Sequence, residues 1–345
     1  MKFNDLLVKF LIWRLKHISN NNFVLLLSGL IGIIAGIAAV TLKSSVHLIQ
    51  TLLERNLDIT GVNFLYLFYP LIGILLTMLV AKYFLKENLG HGITQILYTI
   101  SKNSSIVKSS MMYSRMFTSA MTVGFGGSVG LEAPIVVTGS AIGSNLAQLT
   151  HLNYKKRTLL IACGASGAIS AIFNSPIAGV IFAIEVILVE ATINKFIPIL
   201  ISSVTGSLVS LILLGDDILF TFKIQDQFRA EDVPYYMLFG IACGIVSVHF
   251  TRVTYLVEKW VERIKNRVNR AVLGGIGLAI IILVFPPIYG EGYNTIKLLL
   301  AGNEEAIFQR SFFYGESSNT LALIIFLFSI IVIKPVASAL TLGSG

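Results

Sequence analysis

The sequence predicts an all-α integral membrane protein with the inverted-repeat build of a transporter and with broken helices. Of its 345 residues, 55% are apolar and only 13% are charged, and the mean hydropathy is +0.80. Soluble domains carry about 25% charged residues, so this chain has too little charge to cover an aqueous surface. The apolar content also excludes disorder. Long apolar runs therefore indicate membrane-spanning helices.

Apolar runs without Lys, Arg, Asp or Glu mark the predicted spans, and each approaches the length that crosses a hydrocarbon core of about 30 Å. These runs are residues 23–42, 64–81, 116–131, 133–154, 158–184, 196–215, 233–251, 271–290 and 317–333. Glycine, asparagine or proline interrupts several of them, at 124–130, 174–176 and 286–287. Broken helices persist in lipid only where the backbone is buried in protein or lines a wet cavity, so function is expected at these breaks.

Loop charges predict the orientation of the chain. Basic residues collect in 1–22, 155–157 and 252–270, which places all three on the cytoplasmic side. The spacing within 1–22 also predicts an amphipathic helix at the membrane surface. Residues 215–232 are acidic in balance and are expected to form an external linker. We expect a multi-pass protein of the inner or plasma membrane, in contact with lipid, whose net charge of +8 reflects topology rather than nucleic-acid binding.

Two sequence motifs recur in the same order in the two halves of the chain. The pairs are GHGITQI at 90–96 with GEGYNTI at 290–296, and SAMTVGFG at 119–126 with SALTLGSG at 338–345. The second pair is identical at five of eight positions. This order predicts membrane repeats at 23–214 and 233–345, with a binding site at their interface.

The second repeat is expected to be incomplete. After SAMTVGFG the first half continues into GSVGLEAP, whereas the chain stops at the corresponding point of the second half. We therefore expect the 345 residues to be a fragment, the alternative being a natural terminus. A fragment of this kind is also open to being inert by itself.

The segment GFGGSVGLEAPIVVTGSAIG, residues 124–143, predicts an anion site at a helix N-terminus. Its glycines precede Pro134, which is favoured in a first helical turn. The free N–H groups of that turn carry a partial positive charge, so they bind an anion without a full cation and still release it. Gly130, Leu131, Ala133 and Pro134 are the expected anion-binding residues.

Glu132 lies within this predicted site. A carboxylate inside a membrane costs about 2.5–3.5 kcal/mol, so it needs a function or a partner. The functional interpretation is a gate: the carboxylate occupies the site in place of the permeant anion and leaves by swinging away or by becoming protonated. The alternative is a capping carboxylate that satisfies the helix N-terminus.

A second helix start is predicted at GHGIT, residues 90–94. Gly90, His91, Gly92 and Ile93 are expected to bind the same anion, because two glycines permit close approach and the imidazole of His91 can donate a hydrogen bond. The alternative for His91 is a turn residue bonded to backbone. The histidines show no metal-ligand spacing, so no metal and no other cofactor are expected.

Four further residues mark a helix break or place a charge at or near an apolar run. Asn174 and Pro176 are expected to end one helix and begin the next. Glu185, on the second piece, is interpreted as a buried structural partner. Lys334 ends an apolar run, and its side chain is expected to snorkel to the interface; the alternative is a fixed charge that draws anions into a vestibule.

Together these motifs resemble the CLC family of chloride channels and chloride/proton antiporters. GLEAP resembles the G-[KR]-E-G-P signature that carries the gating glutamate, with Glu132 in that position. GHGIT resembles G-S-G-I-P, with His91 in place of a serine that binds chloride. FNSPIAGVIFAIEV at 173–186 and KPVASALTLGSG at 334–345 resemble two further segments. The resemblance implies chloride as the transported ion and a homodimer with one pore per subunit.

One departure from the family pattern bears on mechanism. Family antiporters carry a proton-transfer glutamate at the second position of an E-E pair, where this chain has Val186 after Glu185. Family channels commonly have valine there, so the resemblance implies a voltage-gated chloride channel-like protein with a glutamate gate. The alternative is a proton-coupled chloride antiporter.

Two other classes of function fit less of the sequence. A cation-coupled solute transporter would need polar or acidic residues at the helix breaks, and only Glu132 and Glu185 qualify. An intramembrane enzyme would need catalytic Ser/His, paired Asp or a His-Glu-x-x-His motif, and the sequence contains neither these nor an Arg/His cluster. We therefore expect transport of a small inorganic anion rather than catalysis.

Overall fold

The computed structural model describes residues 3–54, 68–85, 92–188, 193–215, 229–303, 307 and 320–344. Throughout these ranges the regular secondary structure is helical, which confirms the all-α prediction. In chain order the α-helices are α1 (Phe3–His17), α2 (Asn20–Glu54), α3 (Tyr69–Val80), α4 (Gly92–Lys102), α5 (Ser114–Gly124), α6 (Glu132–Leu149), α7 (Tyr154–Phe173), α8 (Pro176–Phe182), α9 (Ile193–Leu214), α10 (Val233–Glu262), α11 (Arg267–Val284), α12 (Tyr293–Leu300) and α13 (Thr320–Ser344).

Shorter helical turns extend or connect these helices. A π-helical turn follows α3 at Ala81–Leu85 and another follows α8 at Ala183–Ile187, and 3₁₀ turns lie at Ser109–Met112, Ala230–Asp232 and Pro286–Ile288. Within the described ranges, six segments are long and apolar enough to cross a membrane: Asn20–Leu53, Tyr154–Phe173, Lys195–Leu214, Ala230–Glu262, Arg267–Val284 and Leu321–Ser344.

The interruptions predicted from glycine, asparagine and proline are present. Asn174 has a left-handed backbone with φ of 49° and ends α7, and Pro176 then begins α8. The chain also leaves the helical path between α5 and α6, and again where α11 gives way to the 3₁₀ turn at Pro286–Ile288. Each break coincides with a residue that cannot continue a helix or that favours a turn.

The predicted cytoplasmic loop at 252–270 is mostly helical. α10 continues through this charged stretch to Glu262, and α11 begins at Arg267 after its N-cap, Asn266, whose side chain accepts a hydrogen bond from the N–H of Val268 at 3.0 Å. Charge marks where the hydrocarbon ends, but it does not stop a helix, because Lys, Arg and Glu are good helix formers.

The described residues belong to two compact units that interleave along the chain. The first unit takes its residues from Met1–Ser44, Leu89–Phe117 and Leu131–Leu219, and the second from Ser45–Asn88, Thr118–Gly130 and Phe220–Gly345. These units do not follow the predicted repeats at 23–214 and 233–345, because the second unit includes helices from the first half. The repeat boundaries, like the interfacial and linker segments, stay predictions.

The first unit is built around α7, which packs between α6 and α9. Gly139 of α6 and Gly164 of α7 cross in contact, and a Cβ atom on either would collide with the backbone of the other. Serines of α9 reinforce this packing: the hydroxyl of Ser202 donates to the carbonyl of Cys163 at 2.7 Å, and that of Ser203 to the carbonyl of Pro176 at 2.6 Å. Small residues and interhelical hydrogen bonds hold helices together where lipid removes the hydrophobic driving force.

The second unit packs α11 against α3 and α13, and α10 against α13. Ile74, Leu278 and Ile282 are buried at its centre. α10 leaves most of its apolar side chains exposed along its length. An exposed apolar helix of this length is suited to lipid.

Candidate functional site

The segment before α6 is a tight connection between two helices. α5 ends at Gly124, and Gly126 follows with φ of +96°, a conformation that L-amino acids rarely adopt. A Cβ atom at Gly126 would also collide with the ring of Tyr289. α6 then begins at Glu132, and its residues from Ile135 to Ser144 are buried. The glycines that predicted a close backbone approach are therefore required by the local packing.

Glu132 is the first helical residue of α6, and Pro134 lies two positions further on. The N-cap is Leu131, whose apolar side chain has no group that can cap a helix. Glu132 is thus not the N-cap residue itself, although a carboxylate in the first turn can also satisfy the helix N-terminus, so the gate and the capping carboxylate both stay predictions. Its half-buried side chain lies in the first turn, where the helix dipole stabilises a carboxylate and attracts any anion that replaces it.

The start of α4 lies against the first turns of α6. A methyl group built on Gly92 would lie 3.1 Å from Cγ2 of Val137 and 3.7 Å from the carbonyl oxygen of Ala133. Ile93 packs on the same core cluster that contains Val137. The start of α4 therefore lies against the first turns of α6 within the first unit, and the first N–H groups of an α-helix lack partners inside the helix itself.

The structure places most, but not all, of the predicted anion-binding residues. Leu131, Ala133 and Pro134 surround the start of α6, Gly92 and Ile93 form the start of α4, and Gly130 is the last residue before this unit. Leu131 is buried and Ala133 is exposed. Gly90 and His91 lie outside the described residues.

The region around Val186 is a π-helical turn at Ala183–Ile187. Val186 packs partly buried against the core of the first unit, and Glu185 is exposed. Glu185 is therefore not the buried partner that the sequence suggested, because the π turn directs it away from the core. π turns of a single helical turn are frequent at functional sites.

Ser128 is a site residue that the sequence analysis missed. It is fully buried in the second unit, and its N–H donates to the hydroxyl of Thr341 at 3.1 Å. Its carbonyl accepts from Ser338 at 2.8 Å, and its hydroxyl donates to the carbonyl of Ile288 at 2.8 Å. All of its polar groups are thus bonded, which fixes the backbone four residues before Glu132. Only the repeat of small polar residues in 338–345 hinted at this role.

Lys334 is the second missed contact, and the snorkelling prediction was wrong for it. Its Nζ lies 2.9 Å from the hydroxyl of Ser128, 3.2 Å from the carbonyl of Gly290 and 3.4 Å from that of Ile288. Lys334 lies inside α13 rather than at its end, and its ammonium group is held by oxygens of the protein.

Comparison with known proteins identifies the family. Residues 72–345 match the model of the voltage gated chloride channel family. The chain is 30% identical over 272 residues to chloride channel protein CLC-f of Arabidopsis thaliana, which covers 74% of this chain and 33% of that protein. It is 27% identical over 311 residues to the H(+)/Cl(-) exchange transporter ClcA of Vibrio cholerae, which covers 86% of this chain and 66% of that protein.

Solved structures match the fold over nearly the whole chain. A CLC-type fluoride/proton antiporter aligns with a TM-score of 0.72 at 20% identity, covering 92% of this chain and 76% of that one. A slow cyanobacterial Cl-/H+ antiporter aligns with the same TM-score and identity, covering 92% and 74%. The chain spans a third to two thirds of the length of the curated relatives given above. The family match covers most of the sequence, and we conclude that this chain belongs to the voltage gated chloride channel family.

Proposed function

We propose that this protein carries chloride, or a similar monovalent anion, across a membrane through a pathway formed by helix N-termini, with Glu132 as the gate. The chain is a multi-pass membrane protein, since its family and its six apolar helices agree. The observation that carries the proposal is the contact of Gly92 with the first turns of α6, which joins two helix starts beside Glu132. The partial positive charge of such helix ends suits an anion that must also leave.

A channel-like mechanism is the first form of this proposal. It is supported by Val186, a residue that cannot carry a proton, at the position where family antiporters have a glutamate. The second form is proton-coupled exchange, which is supported by the name of the Vibrio cholerae relative, an H(+)/Cl(-) exchange transporter. Both forms use Glu132 in the same place, so they differ only in whether protons are exchanged for the anion.

The remaining parts of the proposal concern the surroundings of the protein. We propose a homodimer with one pathway per subunit, in the inner or plasma membrane, with a cytoplasmic N-terminus. Transport of this kind needs no enzymatic step and no cofactor. A cation-coupled solute transporter is the rival, and replacing the counter-ion in a flux assay separates the two, because only the rival loses transport when the coupling cation is removed.

The gate is tested by Glu132→Gln in the full-length protein reconstituted into liposomes. In the wild type, chloride efflux should rise as the pH falls, because protonation neutralises the carboxylate and removes its competition with chloride. The amide of Glu132→Gln imitates the neutral form, so its efflux should be high and independent of pH. Efflux is measured with a chloride electrode over a range of pH.

The matched control is Glu262→Gln, which removes one exposed carboxylate at the end of α10. This variant should keep the pH dependence of the wild type. If Glu132→Gln retains that dependence as well, Glu132 is not the gate.

A further inference from the structure

The two repeated motifs occupy the same kind of element in each half of the chain. The second glycine of the G-x-G motif marks the start of a short helix: Gly92 is the first residue of α4, and Gly292 is the N-cap of α12. The S-A-x-T-x-G motif lies at the C-terminal end of another helix, α5 in the first half and α13 in the second. Residues at equal offsets from these motifs are therefore structural equivalents.

A basic residue stands four positions before the S-A-x-T-x-G motif in both halves. Arg115 precedes Ser119, and Lys334 precedes Ser338. We call Arg115 and Lys334 the repeat cations. Arg115 is 8% exposed, and Lys334 is only partly exposed inside the apolar helix α13. A buried cation is costly unless it is paired, so two cations at matching positions call for a shared role.

Each repeat cation bonds a residue of the seven-residue motif, 90–96 or 290–296, of its own half. The guanidinium of Arg115 donates to Oε1 of Gln95 at 2.8 Å, and Gln95 belongs to the motif at 90–96. The ammonium group of Lys334 donates to the carbonyls of Gly290 at 3.2 Å and Glu291 at 3.5 Å, in the motif at 290–296. The Arg115 contact lies within the first compact unit, and the Lys334 contacts lie within the second.

Lys334 has an additional partner that connects it to the predicted gate. Its Nζ donates to Oγ of Ser128 at 2.9 Å, and Ser128 precedes Glu132 by four residues. The same serine is bonded to Ser338 and Thr341, the serine and threonine of the second S-A-x-T-x-G motif. The second S-A-x-T-x-G motif therefore fixes the backbone at Ser128, which leads to α6.

We propose that Arg115 and Lys334 are repeat-related positioning residues, each of which holds the helix start of its own half in place, and that Lys334 in addition fixes the segment before Glu132. Their charge is used in bonds to protein oxygens. The clause concerning Glu132 rests on the proposed function, whereas the positioning of the helix starts does not.

Hydrogen exchange of the purified full-length protein tests the positioning. Lys334→Met should raise the exchange of backbone amides in 290–300 about tenfold or more, because several charge-assisted hydrogen bonds are lost, and should leave 92–102 unchanged. Arg115→Met should do the reverse. Lys334→Arg and Arg115→Lys should restore protection, since each retains a donor.

Lys259→Met, which removes one exposed cation from α10, is the control for net charge. Unchanged exchange in both halves, or equal loosening of both halves by either variant, would overturn the proposal.

A double-mutant cycle with a neutral partner separates positioning from attraction of anions by a fixed charge. Lys334→Met and Ser128→Ala should each shift the midpoint of the pH–efflux curve by about half a pH unit or more. The double variant should shift it no further than Lys334→Met alone, because both changes break one network. If Ser128→Ala leaves the midpoint unchanged, or if the two shifts add, the link to Glu132 is wrong. If the wild type shows no pH-dependent efflux, the proposed gate fails, while hydrogen exchange still decides the positioning of the helix starts.

Discussion

At the scale of single residues, the position of Glu132 explains how one carboxylate can act as a competitor for an anion. It is the first residue of α6, and the half-buried side chain lies beside the helix end that would bind a negative charge. In the proposed mechanism, a carboxylate there stabilises the closed site, and its loss of charge or its displacement frees the same N–H groups for a small anion.

Val186 leads to a prediction about protons. Because valine cannot bind a proton, a pH gradient across liposomes should not shift the reversal potential of the chloride current, which should follow the chloride gradient alone. The measurement is the reversal potential at several pH gradients with the chloride gradient held constant. A shift that grows with the pH gradient would contradict the channel-like form and support exchange.

His91 leads to a prediction about selectivity. If its imidazole donates a hydrogen bond to the permeant anion, His91→Ser should change the order in which chloride, bromide and nitrate permeate, because donor geometry and charge differ between imidazole and hydroxyl. Relative permeabilities from bi-ionic reversal potentials measure this order. An unaltered order in His91→Ser would indicate a turn residue.

The residues that the sequence could predict are those with an unusual chemical type for their surroundings. Glu132 and the glycines near it stand out because charge and backbone freedom are rare inside apolar runs. Ser128 gave no such signal, because buried serines are common in helical membrane proteins and its four partners come from residues 288, 334, 338 and 341, far away in the sequence. Lys334 was noticed, but its partners depend on tertiary structure.

At the scale of elements, the start of α4 packs against the start of α6. Gly92 allows their contact because it has no side chain at the point where a methyl group would lie 3.1 Å from Val137. The sequence predicted both helix starts from their glycines, but it could not predict that they touch, since the contact depends on how α4 packs on α6.

Gly92→Val tests this contact. The added side chain has to displace α6 or α4, which should cost about 1–3 kcal/mol of stability and reduce chloride efflux by separating the two helix ends. Thermal unfolding and efflux are measured together, with Gly240→Val as the matched control, because a Cβ atom at Gly240 on α10 meets nothing within 4 Å. Wild-type efflux from Gly92→Val would show that the contact is irrelevant to transport.

Helix boundaries show where prediction from charge fails. The breaks at Asn174 and at 286–287 were predicted correctly, because proline and a left-handed asparagine act locally on the backbone. The end of α10 was not, because charged residues set the depth of a helix in a membrane and leave its hydrogen bonding intact.

At the scale of the whole molecule, the sequence repeat and the packing units describe different properties. Repeated motifs predict which elements correspond, and by their positions in the chain they pair α4 with α12 and α5 with α13. Packing groups whichever helices are adjacent, so the second unit recruits 45–88 and 118–130 from the first half. The motif pairs are the basis for predicting which elements correspond. The second depends on long-range contacts that no local pattern encodes.

The central claim is that an anion binds where the N-termini of α4 and α6 meet, in competition with Glu132. Anomalous scattering from crystals of the full-length protein grown in bromide tests it most directly, with Glu132→Gln compared with the wild type. The account predicts a bromide peak beside Gly92 and the first turn of α6, stronger in Glu132→Gln than in the wild type. If Glu132→Gln carries bromide in liposomes but its crystals show bromide peaks only at other places, the claim is contradicted.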